Sequence, residues 1–255
     1  MRIACNMRLL FVALILYLFV NISAGSSILN VTVGISLSFG SPSAMKRQFS
    51  QDTLSGLLLW QQWANEEYQL RLNNSTIQFQ LKILEDFGST DQAQLNYEQL
   101  VSDISVNFLF APVTTELALK ARNVTEGANR LLIGILVAAD SFFRDSNKAY
   151  SVYPSASRFA LQSLPTLRLK GAATITVVTE DSILHRCICS GVSQNAPDYN
   201  LEVVKSFSIE FADGTLTDKQ KQKMNETVLQ VKKLNSDVLM ICSFSLNVRY
   251  MLELM

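Results

Sequence analysis

Three short apolar runs in this 255-residue chain each empty into a loop rich in hydroxyls: Val31 to Ser43 (VTVGISLSFGSPS), Val106 to Glu116 (VNFLFAPVTTE) and Leu131 to Ser141 (LLIGILVAADS). Side-chain hydroxyls beside free helix N-terminal N–H groups can hold a small anion without any cationic side chain. Loops of this kind gather at the carboxyl edge of a parallel sheet, so the pattern points to a binding cleft rather than to catalysis.

Residue types that carry catalysis are sparse. The chain has one histidine, His185, and no G-x-S-x-G elbow, H-E-x-x-H pair or G-x-G-x-x-G loop. His185 reads as a surface or helix-start residue. Glu180 and Asp181 could be imagined as an acid and base pair, but neighbours on a strand exit point apart, so they read as a solvated strand end followed by a helix start. Cys187 and Cys189 lack the spacing of a zinc knuckle or a redox C-x-x-C pair, and no metal or cofactor is expected. Lysine plus arginine balances aspartate plus glutamate at 22 each, which leaves no electrostatic footprint for nucleic acid.

The amino terminus has the build of a secretory signal: Arg2 and Arg8, the 12-residue apolar run Leu9 to Val20, then the small residues Ser23, Ala24 and Gly25. That run falls short of the ~20 residues of a membrane-spanning helix, so residues 1–25 are expected to be removed, with the secreted chain starting near Gly25 or Ser26. Beyond it, N-x-[ST] sequons stand at Asn30, Asn73, Asn74, Asn123 and Asn225, as in an exported glycoprotein; Asn73 and Asn74 overlap and would share one glycan. With Cys5 in the leader, Cys187, Cys189 and Cys242 are an odd number for an oxidising compartment, and their pairing stays open.

Those loops must be held by alternating strands and helices. After the strand Val31 to Leu37, Leu54, Leu57, Leu58, Trp60 and Trp63 recur at helical spacing and read as the core face of a helix. Ile77, Phe79, Leu81 and Ile83 alternate as a strand, and Thr90 is placed to cap the helix that follows. A strand at Asn107 to Phe110, a helix at Glu116 to Val124 and a strand at Leu131 to Val137 continue the pattern. It breaks near Asp145 to Pro154, a candidate crossover into a second lobe, then restarts. A helix is expected at Ser157 to Leu169, a strand at Ala173 to Glu180, a helix through Cys187 to Ala196, a strand at Leu201 to Glu210, a helix at Thr217 to Asn235 and a strand at Asp237 to Phe244, with a further helix opening at the end. This predicts an α/β protein with doubly wound parallel sheets.

The ordered set VGISLSFGSPS…SGLLLW, ILEDFGSTDQAQLNYEQLVSD, VNFLFAPVTTELALKA, YSVYPSASRFALQSLPTLRLKGAATITVVTEDS and VKKLNSDVLMI resembles the type 1 periplasmic-binding-protein fold. That fold is shared by leucine/isoleucine/valine-binding proteins and by the ligand-binding regions of class C and natriuretic-peptide-type receptors. The resemblance implies a two-lobed clamshell with an amino-acid-like ligand between the lobes. It places the ligand's carboxylate on Thr114 and Thr115, its ammonium on the Ala139 carbonyl and the Ser141 hydroxyl, and an aromatic cover at Phe49. Two positions depart from the family pattern: Ala111 stands where a glycine is usual, and Leu184 where amino-acid binders often carry a tyrosine. The acidic second-lobe partner of the ammonium is expected beyond Met255.

On this reading residues 26–146 form the first lobe and 147–255 a second lobe that is C-terminally incomplete, so that sheet edges and helix faces await the missing strands. The function it implies is an extracellular or cell-surface ligand-binding region of a receptor, a glycoprotein of the secretory pathway, without enzymatic activity. Its partner is a small-molecule ligand, with a receptor homodimer left open and membrane association only through later sequence. Two other readings stand beside it: an interaction or structural fragment that kept the fold and lost the ligand, and a secreted α/β enzyme, which the missing catalytic motifs disfavour.

Overall fold

The computed structural model describes residues 28–72, 75–210 and 215–255; the expected signal segment and the sequons at Asn73 and Asn74 lie outside them. Strand β1 (Ile28–Leu37) is the axis of the first lobe. Its second half, with Val31, Val33, Ile35 and Leu37, is buried on both faces, as a strand inside a parallel sheet must be. On one side it pairs in parallel with β3 (Ser75–Glu85), which carries the short antiparallel edge strand β2 (Arg71–Leu72). On the other side lie β4 (Val106–Phe110), β5 (Leu132–Gly134) and β6 (Ala149–Ser151), giving the order β2-β3-β1-β4-β5-β6. Successive connections leave β1 in opposite directions, which opens a crevice at its carboxyl end.

The second lobe has a three-stranded parallel sheet in the order β8-β7-β9, made of β7 (Thr174–Glu180), β8 (Glu202–Ile209) and β9 (Val238–Cys242). Helices α1 (Ala44–Gln62), α2 (Thr90–Ser102), α3 (Thr115–Gly127) and the single turn α4 (Asp140–Phe143) belong to the first lobe. Helices α5 (Ser163–Leu169), α6 (Ile183–Asn195), α7 (Asp218–Leu234) and α8 (Ser245–Leu254) belong to the second. No helix among the described residues is long and apolar enough to cross a membrane. A disulfide joins Cys189 on α6 to Cys242 at the end of β9 within the second core, leaving Cys187 as a free, half-buried thiol.

Several boundaries differ from the sequence reading for identifiable reasons. Leu57 is buried and Trp60 packs on Phe79 with ring centroids 4.9 Å apart, but Leu58 is 49% and Trp63 41% exposed. Leu58 follows Leu57 by one residue and therefore turns about 100° off the core stripe. At Trp63 the helix widens into a π turn (Trp63–Tyr68), which brings Ala64 inward and leaves Trp63 stacked on Tyr68. Ser89, not Thr90, caps α2, its hydroxyl accepting from Gln92 N at 3.3 Å. The helix expected from Ser157 begins at Ser163, because Pro165 has no N–H for an earlier turn and is tolerated only near a helix start. The first sheet runs on to Ser151, past the division expected at 146/147, because β6 pairs with β5.

The crossover between lobes is anchored on both sides. From the first lobe, Ala138 O accepts from Ala156 N at 2.6 Å, and the Asp140 carboxylate accepts from Ser155 Oγ and Ser157 N. Burial works to raise the Asp140 pKa, but these hydrogen bonds outweigh it and hold the carboxyl below its usual value. From the second lobe, α6 presses Gly191 against the backbone of Ser157 so closely that a Cβ there would overlap the Ser157 carbonyl.

Two identical substitutions should therefore have opposite signs. Gly191→Ala is expected to lower stability by ~1–3 kcal/mol or more through overpacking, whereas Gly56→Ala, where a Cβ on α1 meets nothing, should raise it by about 0.5–1 kcal/mol through helix propensity. Urea unfolding of the two variants checks this, and a neutral Gly191→Ala would contradict the packing described.

Candidate functional site

Between the lobes lies a cleft of about 580 Å³, built from the loops at the carboxyl ends of the strands. Its first-lobe wall comes from α1 (Met45, Lys46, Phe49), the loop into α3 (Val113 to Glu116) and the loop after β5 (Leu136, Ala138). Tyr153 and Phe159 of the crossover line it, and the second lobe contributes Asp181, Ser182, Leu184 and Phe244. Most of this surface is apolar.

Polar groups of the first-lobe wall gather at the start of α3. Ser43, Ser89, Ser182 and Thr217 each cap a helix through a side-chain hydroxyl, yet Thr114 at the N-cap of α3 makes no such bond. Its Oγ1 is buried and has no hydrogen-bond partner. The first-turn N–H groups of α3 thus keep their unmet donors and the positive end of the helix dipole. Thr115, also buried, follows as the first helical residue. Beneath them Tyr97, fully buried, donates to Phe110 O and fixes the end of β4; burial pushes its pKa well above the usual value.

Of the sequence-derived site residues, Thr114, Thr115 and Phe49 line the cleft, whereas Ala139 and Ser141 do not. Ala139 is fully buried and its carbonyl accepts from Phe142 N at 2.9 Å, closing the turn of α4. The carbonyl of Ser141 is taken by Arg122, and its hydroxyl is buried without a partner. The cause is Asp140: in binding Ser155 and Ser157 it starts α4 one residue past Ala139 and draws the segment into the lobe, so that Ala138 and Leu136 face the cleft instead.

The second-lobe wall differs from the sequence reading in its burial: Glu180 is a strand end but 0% exposed rather than solvated, and His185 stands at the helix start, one of the two places read for it, buried in the first turn of α6. The Glu180 carboxylate accepts from Ser243 Oγ, Phe244 N at 3.2 Å and Asn247 Nδ2 at 2.8 Å, and lies 3.2 Å from His185 Nδ1. Burial works to raise its pKa, while hydrogen bonds from His185, Ser243 and Phe244 outweigh that and hold it below the usual range. The His185 ring meets Phe244 edge to face at 4.4 Å, and Phe244 in turn reaches Phe49 across the cleft at 6.4 Å. Asp181 points to solvent and pairs with Arg186. Phe244, which the sequence reading did not single out, occupies the loop directly after β9, the same place in the strand-loop pattern as Asp181 after β7; that signal would have found it.

Ser182, His185 and Glu180 have the residue types of a nucleophile with its base, but the geometry is wrong for it. Ser182 Oγ at 2.8 Å and Glu180 at 3.2 Å both approach the same ring nitrogen, Nδ1, whereas a relay needs one partner on each nitrogen. The Ser182 hydroxyl also accepts from His185 N to cap α6. Among the described residues no group of three or more histidine, cysteine, aspartate or glutamate side chains could hold a metal ion.

Comparison with known families matches residues 30–246 to the periplasmic binding protein family. Solved structures with the same fold include an ABC transporter substrate-binding protein from Desulfitobacterium hafniense in complex with Leu, 12% identical with a TM-score of 0.65, matched over 86% of this chain and 60% of that one. An extracellular ligand-binding receptor from Rhodopseudomonas palustris HaA2 is 17% identical with a TM-score of 0.65, over 88% and 57% of the two chains. A solute-binding protein from Rhodopseudomonas palustris BisB5 in complex with 3,4-dihydroxybenzoic acid is 12% identical with a TM-score of 0.65, over 84% and 54%. The chain thus spans less than two thirds of the length of these solved structures. No curated protein matches it by sequence.

The buried Glu180 generates a prediction of its own. A carboxyl whose folded pKa lies below the unfolded value of about 4.3 stabilises the fold above that value and loses the contribution as pH falls through the folded one. The stability difference between wild type and Glu180→Gln should therefore be full at pH 6 and narrow below about pH 4. Urea midpoints measured across that range check it; a gap that stays constant to pH 3 would show that Glu180 does not carry the charge assigned to it.

Proposed function

The chain belongs to the periplasmic binding protein family, and on that premise we propose that it binds a small, amino-acid-like carboxylate between its two lobes without transforming it. The observation that carries this is the buried, unpartnered hydroxyl of Thr114 at the N-terminus of α3 in the cleft wall. A carboxylate seated there takes hydrogen bonds from the hydroxyl and the first-turn N–H groups, and its apolar body meets Phe49, Leu184 and Phe244. Structural neighbours hold Leu or benzoate-type acids in complexes of the same fold, in keeping with a ligand of this size. A second reading, an aromatic acid without an ammonium group, is favoured by the four aromatic rings of the wall, Phe49, Tyr153, Phe159 and Phe244.

In this reading the protein is exported and acts at the cell surface or outside the cell as the ligand-binding region of a receptor. The side chains of Asn30, Asn123 and Asn225 are exposed and can carry glycans without disturbing the core. Expression in a eukaryotic secretory host followed by glycosidase digestion should lower the mass. An unchanged mass would remove the glycoprotein reading.

Losing a hydrogen bond to a charged group costs ~1.5–3 kcal/mol, so Thr114→Val should weaken binding about ten-fold or more. Calorimetry with L-leucine, L-phenylalanine and 4-hydroxybenzoate tests this and separates the two ligand classes. Equal affinity in wild type and variant would take Thr114 out of the site.

A further inference from the structure

Every second-lobe residue in the cleft wall hangs from one buried carboxylate. Asp181 and Ser182 form the turn directly after Glu180, Leu184 stands in the first turn of α6 that follows, and Phe244 belongs to the loop whose Ser243 Oγ and Phe244 N donate to Glu180. Asn247, 1% exposed, adds a third donor from α8 at 2.8 Å. His185, 3.2 Å from the same carboxylate, sets its ring edge to face with Phe244 at 4.4 Å. Phe244 is therefore held from its backbone by Glu180 and from its ring by His185, and it is the second-lobe side chain that meets Phe49 across the cleft.

We propose that Glu180 and His185 are positioning residues that set Phe244 as the closing jaw of the cleft, and so control how long a bound ligand stays. The proposal rests on the ligand-binding reading given above. A carboxylate accepts three donors through stronger hydrogen bonds than a neutral amide does, so the jaw is stiff when Glu180 is ionised and loosens when the charge is removed. Ligand that first docks on the α3 terminus of the first lobe meets the jaw only on closure. A loosened jaw therefore shortens the bound lifetime and leaves the encounter rate nearly unchanged.

The test measures association and dissociation rates of L-leucine, L-phenylalanine and 4-hydroxybenzoate with the full chain and with Glu180→Gln, Phe244→Leu, their combination, and Thr114→Val. Dissociation should accelerate about ten-fold in Glu180→Gln and in Phe244→Leu, with association within about two-fold of wild type. The double variant should be no faster than the faster single one, because Glu180 acts through Phe244; a merely structural loss at Glu180 would multiply with Phe244→Leu instead. Should Glu180→Gln fail to fold, the same cycle with His185→Asn carries the test. Unchanged dissociation in Phe244→Leu, or multiplying effects, alongside a weakened Thr114→Val, overturns the jaw and leaves the cleft reading standing. If none of the three probes binds wild type, or Thr114→Val binds as wild type does, the cleft reading itself falls and the jaw with it.

Discussion

Each sheet ends in a buried carboxylate that no lysine or arginine neutralises among the described residues: Asp86 just beyond β3 in the first lobe and Glu180 at the end of β7 in the second. A buried ionised group is tolerated only when hydrogen bonds replace its water. Asp86 takes them from Ser36 Oγ, Ser38 Oγ and Gly88 N, and Glu180 from Ser243, Phe244 and Asn247. In each lobe some of the donors come from the end of the neighbouring strand, Ser36 and Ser38 at β1 and Ser243 and Phe244 after β9, so satisfying the carboxylate ties adjacent loops together. Gly88 serves the same need, with a φ of +72° that brings its N–H back to Asp86 and its Cα against Ser41. In the second lobe the loop that carries Phe244 into the cleft wall is one of those that Glu180 ties down.

That constraint also explains what could and could not be read from the sequence. Alternation of apolar strands with amphipathic helices is a local pattern, and it placed both lobes, the order of their elements and the loop carrying Thr114 and Thr115. Phe49 came from the family resemblance rather than from the local pattern, and it lines the cleft. Glu180 was not legible, because a carboxylate after TITVVT looks like the exposed end of a strand until Ser243 and Asn247, more than sixty residues later, fold back onto it. Ala139 and Ser141 failed in the converse way: Asp140 between them found long-range partners in Ser155 and Ser157, and its two neighbours followed it inward. Cysteine pairing was undetermined in one dimension, and it is decided by which face of α6 meets β9; Cys189 is on that face and Cys187, two residues earlier, is not.

Helix capping separates stability from function within the same set of loops. Ser43, Ser89, Ser182 and Thr217 spend their hydroxyls on their own helices, and Thr217 completes a full capping box with Gln220. A cap of this kind contributes ~0.5–2 kcal/mol. Thr114 forgoes it, although threonine is suited to the role, and leaves both its hydroxyl and the α3 N–H groups to the cleft. In the proposed reading, the hydroxyl N-cap that makes no capping bond, where four others do, is the place where stability is given up for a ligand.

Charge around that seat narrows what the ligand can be. Lys46, on the cleft wall, directs its ammonium to the Gly88 carbonyl at 3.1 Å, so attraction for a carboxylate comes from hydroxyl and backbone dipoles at the start of α3 rather than from a free cation. Two carboxylates line the cleft, Glu116 from the first lobe and Asp181 from the second. Asp181 is engaged by Arg186, but Glu116 in the first turn of α3 has no ion-pair partner among the described residues. A simple anion placed beside Glu116 would meet repulsion that weakens the dipole's attraction, whereas a zwitterion would set its carboxylate on the Thr114 side and its ammonium toward Glu116. Within the proposed reading the aromatic walls suit an apolar body in either case, and Glu116 is the group that would favour an amino acid over a plain aromatic acid.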